Sequence, residues 1–190
     1  MKAKRLYHSI RLLLLKSDRK RAEYLKKHHV LGAIGDNCWW GPRLLPVYPE
    51  LIKLHDNVVV HKTAKMVPHD FLNSFLSRCK PGTDFGARER IGCIELMDNV
   101  YVSMYSIIMP NVRIETNCIV SAGSIVTTDI PENSIVAGIP AKPIGRFDMF
   151  LALRKMQASQ SVKFRNQELP AELAAAEWEK FYKRHRREVT

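Results

Sequence analysis

The chain has 190 residues, 46% of them hydrophobic and 26% charged, with a formal net charge of +11. This is an ordinary composition for one soluble globular domain with appendages and a sizeable core. Four cysteines (Cys38, Cys79, Cys93, Cys118) form no C-x-x-C pair, which excludes a cysteine-based metal framework and points to reduced thiols in a cytosolic protein.

The charge is concentrated at the two ends. Residues 1–30 carry +8, residues 31–141 carry −2, and residues 142–190 carry +5. Basic arms are compatible with nucleic acid. However, no recognition-helix motif is present and no aromatics are interleaved with the basic residues, so no nucleic-acid partner is expected. Solvated helix faces are the more economical reading, with peripheral association of the basic tails with an anionic membrane surface as an alternative.

Residues 3–29 read as basic helix. Leu6, Ile10, Leu13 and Leu14 fall at helical spacing, and Ser17 and Asp18 open a second helix running to about Lys27. The apolar run Leu12–Leu15 is too short to span a bilayer, and no small-residue cleavage site follows it. Gly32–Pro49, rich in glycine and proline, reads as turns, with Trp39 and Trp40 expected to plug the first coil or a subunit contact and a substrate groove as the alternative. From Leu54 the apolar residues recur every six positions, at Val60 and Met66, with Ile52, Val58 and Ala64 two residues before each. The phase then fails, because the next steps are Leu72, Arg78, Asp84 and Arg90. Residues 71–92 therefore read as a long inserted loop, a feature more often functional than accidental.

The repeat resumes over Ile94–Gly145. Leu96, Val102, Ile108, Ile114, Val120 and Val126 form one ladder, and Ile94, Val100, Ser106, Val112, Cys118 and Ser124 form the second. Six is the period of neither a helix nor a flat strand. It fits one short strand plus a corner, with three such units per triangular coil. A helix follows in RFDMFLALRKMQ, then a polar stretch, then an amphipathic helix after Pro170 whose apolar face holds Trp178 and Phe181. The division expected is a basic helical segment over 1–31, a solenoid over 32–145 and a helical extension over 146–190.

These residues resemble the hexapeptide-repeat acyltransferases. The closing run SAGSIVTTDIPENSIVAGIPAKPIG is similar to the last coil and exit of the sugar and polysaccharide O-acetyltransferases. The resemblance implies a mainly β fold, a left-handed parallel β-helix with N-terminal and C-terminal α-helices and one long inserted loop. The hand comes from the resemblance alone, since general crossover rules favour right-handed connections. The small residue that the family usually carries after each ladder position is replaced here by Met97, Ser103, Met109, Glu115, Ser121 and Thr127.

Among seven histidines, His8, His28, His29 and His185 lie in basic helices and read as solvated. His55 and His61 follow inward-facing residues and point away from the core. His69 ends the last regular hexad before the insertion, in MVPHDF, which is where the related acetyltransferases place a catalytic histidine. Neutral imidazole titrates in the range needed to take a proton from an acceptor hydroxyl as it attacks a thioester. Thiolate is a good leaving group, so neither metal nor covalent intermediate is required. Asp70 and Glu95 are the candidates to orient the imidazole.

The resemblance further implies acetyl-CoA as co-substrate in a groove between subunits of a homotrimer. Met104, Ala122, Thr127 and Thr128 would lie beside the pantetheine arm, with Lys142 and Arg146 on the phosphates. The reading is an acetyl-CoA-dependent O-acetyltransferase acting on a saccharide or polysaccharide precursor in the cytoplasm. The alternatives are N-acetylation of an amino sugar or another small acceptor, a non-catalytic β-helix scaffold, and a zinc carbonic anhydrase. The last would need His55, His61 and His69 on one face, which their spacing opposes.

Overall fold

The computed structural model describes residues 2–79, 88–157 and 169–186. The chain divides into two units, Met1–Leu151 and Ala152–Thr190. Within the first, helices α1 (Lys2–Leu14) and α2 (Asp18–Lys27) precede a coiled stack of short strands. Ser17 holds extended backbone before α2, Asp18 sits in its first turn, and Lys26 and Lys27 sit in its last. Both charge placements complement the helix dipole.

Helix α2 packs on the first coil, formed by β1 (Ala33–Ile34) and β2 (Trp39–Trp40), and buries Ala22 and Leu25. Arg21 is only 2% exposed, yet each of its three guanidinium nitrogens has a partner. Nε donates to the Trp40 carbonyl at 3.0 Å, one terminal nitrogen donates to the Leu15 carbonyl at 2.5 Å, and the other pairs with Asp18. One buried cation thus ties the end of α1, the start of α2 and β2 together.

The coils stack in parallel register. One face comprises β1, β3 (Ile52–Leu54), β8 (Ile94–Leu96) and β11 (Val112–Ile114), extended by a bridge from Ile114 to Ile130. The second comprises β2, β4 (Val59–Val60), β9 (Val100–Val102), β12 (Cys118–Val120) and β14 (Ser134–Gly138). The third comprises β5 (Lys65–Met66), β10 (Ile107–Ile108) and β13 (Ile125–Val126). The result is a parallel β-helix. Both six-residue ladders are buried along their whole length, including Ser106, Cys118 and Ser124, because side chains from three faces meet inside the prism.

The solenoid starts one coil earlier than the apolar period indicates. β1 pairs with β3 and β2 with β4, so Ala33–Trp40 is coiled and not merely a run of turns. Glycine at Gly41 permits this close stacking: a Cβ there would stand 2.3 Å from the Lys62 amide nitrogen. Trp40 fills the interior at 1% exposure, whereas Trp39 is 47% exposed, as alternation along a strand requires.

One corner is built by asparagines. Asn57, Asn99, Asn117 and Asn133 all have φ between 57° and 59°, a left-handed conformation that asparagine tolerates better than most residues. The side chains of the first three form a ladder with Asn37: Asn37 donates to Asn57 at 3.0 Å, Asn57 to Asn99 at 2.7 Å, and Asn99 to Asn117 at 2.9 Å, while Asn133 Oδ1 accepts from the Asp148 amide at 2.9 Å. The chain leaves the stack through β15 (Ala141–Arg146), antiparallel to β14, and enters α4 (Phe147–Gln157). In the second unit, α5 (Ala171–Arg186) stacks Trp178 on Tyr182 and Phe181 on His185 within its own length. The polar stretch before it lies largely outside the described residues.

Candidate active site

The insertion departs from the corner after β5. Strand β6 (His69–Asp70) leads into helix α3 (Leu72–Cys79), and the chain returns through β7 (Arg90–Ile91). β6 and β7 pair antiparallel, His69 opposite Ile91 and Asp70 opposite Arg90. The coil then resumes with Ile94 in register on Ile52, so the insertion leaves the stack undisturbed.

His69 stands at the neck of this excursion between two aromatic rings. Tyr48 meets it edge-on with centroids 5.6 Å apart, and Phe71 does so at 5.0 Å. The His69 Nδ1 is buried and has no hydrogen-bond partner. Tyr48 adopts φ 55°, an unusual conformation for an aromatic residue, of the kind that persists where surrounding contacts hold it. Its hydroxyl donates to Glu89 Oε2 at 2.7 Å, and this bond to a carboxylate raises the Tyr48 pKa above its ordinary value.

A cavity of about 530 Å³ opens beside this cluster. Tyr48, Glu50, Phe71 and Glu89 line it together with Lys4, Arg5, His8 and His29 from the helical segment. Its volume is in the range of small-ligand sites. His8 is a correction to the sequence reading. It is buried at 6% exposure, not solvated, and its Nδ1 is 2.8 Å from the Tyr24 hydroxyl. Burial, then the nearby His28 and Lys4, lower its pKa.

Neither carboxylate expected beside His69 bonds to it. Asp70 Oδ1 accepts from the Leu72 amide at 3.1 Å, so it caps the start of α3. Glu95 lies on a different face of the prism, in register between Lys53 and Arg113. Its Oε1 is 3.1 Å from His55 Nε2, and its Oε2 accepts from Arg113 Nε at 2.9 Å and from a terminal nitrogen at 2.6 Å. The His55 bond and then the Arg113 bonds hold the Glu95 carboxyl below its usual range. His61 Nδ1 is 3.0 Å from Thr63 Oγ1. Among the described residues no group of three or more His, Cys, Asp or Glu is arranged to hold a metal ion.

The expected donor contacts fall at two corners. Met104 and Ala122 sit one coil apart at the corner after the second face, where the Gly123 amide donates to the Met104 carbonyl at 2.9 Å. Thr127 and Thr128 follow β13 at the third corner, the one from which His69 departs two coils earlier. All four are exposed. Lys142 and Arg146 are exposed on β15, and Arg146 is engaged by Asp148 at 2.6 Å. Tyr48, Phe71 and Glu89 were not singled out by sequence reasoning as site residues. Tyr48 lies in the glycine- and proline-rich prelude and the other two in the insertion, where no period reports which way a side chain points.

Residues 94–128 match the family described as bacterial transferase hexapeptide (six repeats). The galactoside O-acetyltransferase of Escherichia coli is 43% identical over 51 residues, covering 27% of this chain and 25% of that one. A Schizosaccharomyces pombe protein carrying an acetyltransferase name is 32% identical over 98 residues, 52% of this chain and 44% of its own. The chain thus spans less than half the length of these two relatives. Among solved structures, a hexapeptide-repeat acetyltransferase of Vibrio cholerae superposes with a TM-score of 0.58 at 15% identity, covering 76% of this chain and 89% of that one. A galactoside acetyltransferase in complex with coenzyme A superposes at 0.54 with 19% identity, covering 90% of each chain. At such identities the superpositions establish a shared fold.

Proposed function

Because residues 94–128 match the hexapeptide-repeat transferases, we propose that this chain is an acetyl-CoA-dependent O-acetyltransferase of saccharides, built on a left-handed parallel β-helix. The observation that carries the reading is His69 itself. It is held at the neck of the insertion, beside a cavity of about 530 Å³ whose walls include the two rings that clamp it. Nδ1 is buried, so Nε2 is assigned as the proton acceptor. His69 takes the proton from the acceptor hydroxyl as that oxygen attacks the thioester carbonyl carbon. The tetrahedral intermediate collapses with loss of the thiolate, and the imidazolium returns the proton to sulfur. Asp70 supports this site indirectly, by capping the helix that carries the insertion away from it.

The division of the expected donor contacts between two corners supports a homotrimer. Met104 and Ala122 on one copy and Thr127 and Thr128 on another would line one groove, with Lys142 and Arg146 toward the phosphates. Exposed apolar side chains on α1 (Leu6, Ile10, Leu14) and α3 (Leu72, Phe75, Leu76) supply surface for a neighbouring copy. All four cysteines are free, which suits a cytoplasmic location, and no described helix is long and apolar enough to cross a membrane.

The test is thiol release from acetyl-CoA with a panel of saccharides. His69→Ala lowers kcat/KM by about 10²–10⁴-fold, with the coenzyme A thermal shift and oligomeric state retained. Undiminished turnover in that variant removes the assignment.

A further inference from the structure

The cavity beside His69 is divided by element. Its aromatic and acidic part comes from the segment around Tyr48 and from the two arms of the insertion, and its cationic part comes from α1. Lys4 and Arg5 are adjacent on that helix, and neither is in an ion pair among the described residues. The first turn of α1 has no acidic residue. Two adjacent cations outside any ion pair give the α1 residues of the lining a positive potential, in a cavity that Glu50 and Glu89 also line. Glu89 accepts from the Tyr48 hydroxyl and keeps its negative charge, and Glu50 is exposed.

We propose that this cavity binds an acidic saccharide, whose carboxylate or phosphate is held by Lys4 and Arg5 while its ring lies against Tyr48 and Phe71. The inference rests on the acetyltransferase reading for treating the cavity as the acceptor site. The chemistry follows the lining. A pyranose offers an apolar face to an aromatic ring, and its hydroxyls donate to carboxylates such as Glu50. Arg5 presents a planar fork to a carboxylate or phosphate, and Lys4 a point charge. A neutral sugar leaves both cations unmatched. The cavity volume accommodates a ligand of one or two sugar rings.

Direct binding tests this separately from turnover. The full chain is titrated with methyl β-D-glucuronide, methyl β-D-glucoside 6-phosphate and methyl β-D-glucoside by calorimetry and ligand-observed NMR, with and without saturating coenzyme A. At least one acidic ligand binds about tenfold or more tightly than the neutral glucoside, as a charge-assisted hydrogen bond allows. Whether the uronide or the phosphate is favoured identifies the anionic group. The advantage shrinks with added sodium chloride and disappears in a Lys4→Gln, Arg5→Gln double variant whose circular dichroism matches the parent. Equal affinities, no binding by any of the three, or displacement of the acidic ligand by coenzyme A overturns the proposal. Displacement would assign the two cations to the donor. Thiol release with the same panel is scored apart. Acidic-ligand binding without acetyl transfer to any acceptor defeats the acetyltransferase reading and leaves the acidic site standing, whereas transfer to the neutral sugar without an acidic preference does the reverse.

Discussion

Tyr48 and Glu89, 41 residues apart, are joined by a 2.7 Å hydrogen bond that fastens the returning arm of the insertion to the segment before the second coil. The Tyr48 ring, thereby oriented, is one of the two aromatic faces against His69. Replacing Tyr48 by Phe keeps the ring and removes the bond. The insertion is then held less firmly. Limited trypsin cleavage at Arg88 and Arg90 accelerates, and the KM for the acceptor rises more than kcat falls. Unchanged proteolysis would show that the hairpin of β6 and β7 holds the insertion without this bond.

Glu95 links stability to pH. Its folded-state pKa is depressed by His55 and Arg113, so its contribution is present above the ordinary carboxylate pKa and is lost as pH falls through the folded value. Glu95→Gln is therefore less stable than the parent at pH 7, and the gap in urea midpoint closes as pH is lowered below about 4. A gap that stays constant with pH would mean that packing, not charge, accounts for the loss.

The asparagine corner makes two demands that a pair of substitutions separates. Asn99 has φ 59° and both donates and accepts in the ladder. Asn99→Ala loses the amide bonds and puts a residue less tolerant of left-handed backbone than asparagine at this φ, costing about 2 kcal/mol. Asn99→Gly loses the same bonds and relieves the backbone, so it costs less. Denaturant unfolding gives the order, and equal losses would assign the whole effect to the ladder.

Arg21 is the buried cation of the N-terminal cap. Arg21→Ala leaves the Trp40 and Leu15 carbonyls and the Asp18 carboxylate without their partner, and lowers unfolding free energy by about 3 kcal/mol. Arg21→Lys recovers only part of this, because one ammonium cannot reproduce three differently directed N–H groups. Chemical denaturation of the two variants measures both effects. A lysine variant as stable as the parent would mean that the charge alone suffices.

From Leu54 on, the residues at the period of six are buried inside the coils, and the period fails where the chain leaves the stack through β6. It missed the first coil, because Ala33–Trp40 has too few inward apolar positions to show a period. Its coiling rests on α2 above and on glycines that allow close stacking. Glu95 is adjacent to a ladder residue, which told that its side chain leaves the prism but not which neighbour it meets. Register places it between Lys53 and Arg113, with His55 within reach.

The sequence by itself determined the repeat, its inward ladders and the position of His69 at the end of a hexad. Each of these is set by the spacing of neighbouring residues along a strand and recurs from coil to coil. Only the tertiary structure decided what surrounds His69. Tyr48 and Phe71 hold its ring, and they share the lining of a cavity with Glu89 and the cations of α1; these come from segments that no period connects.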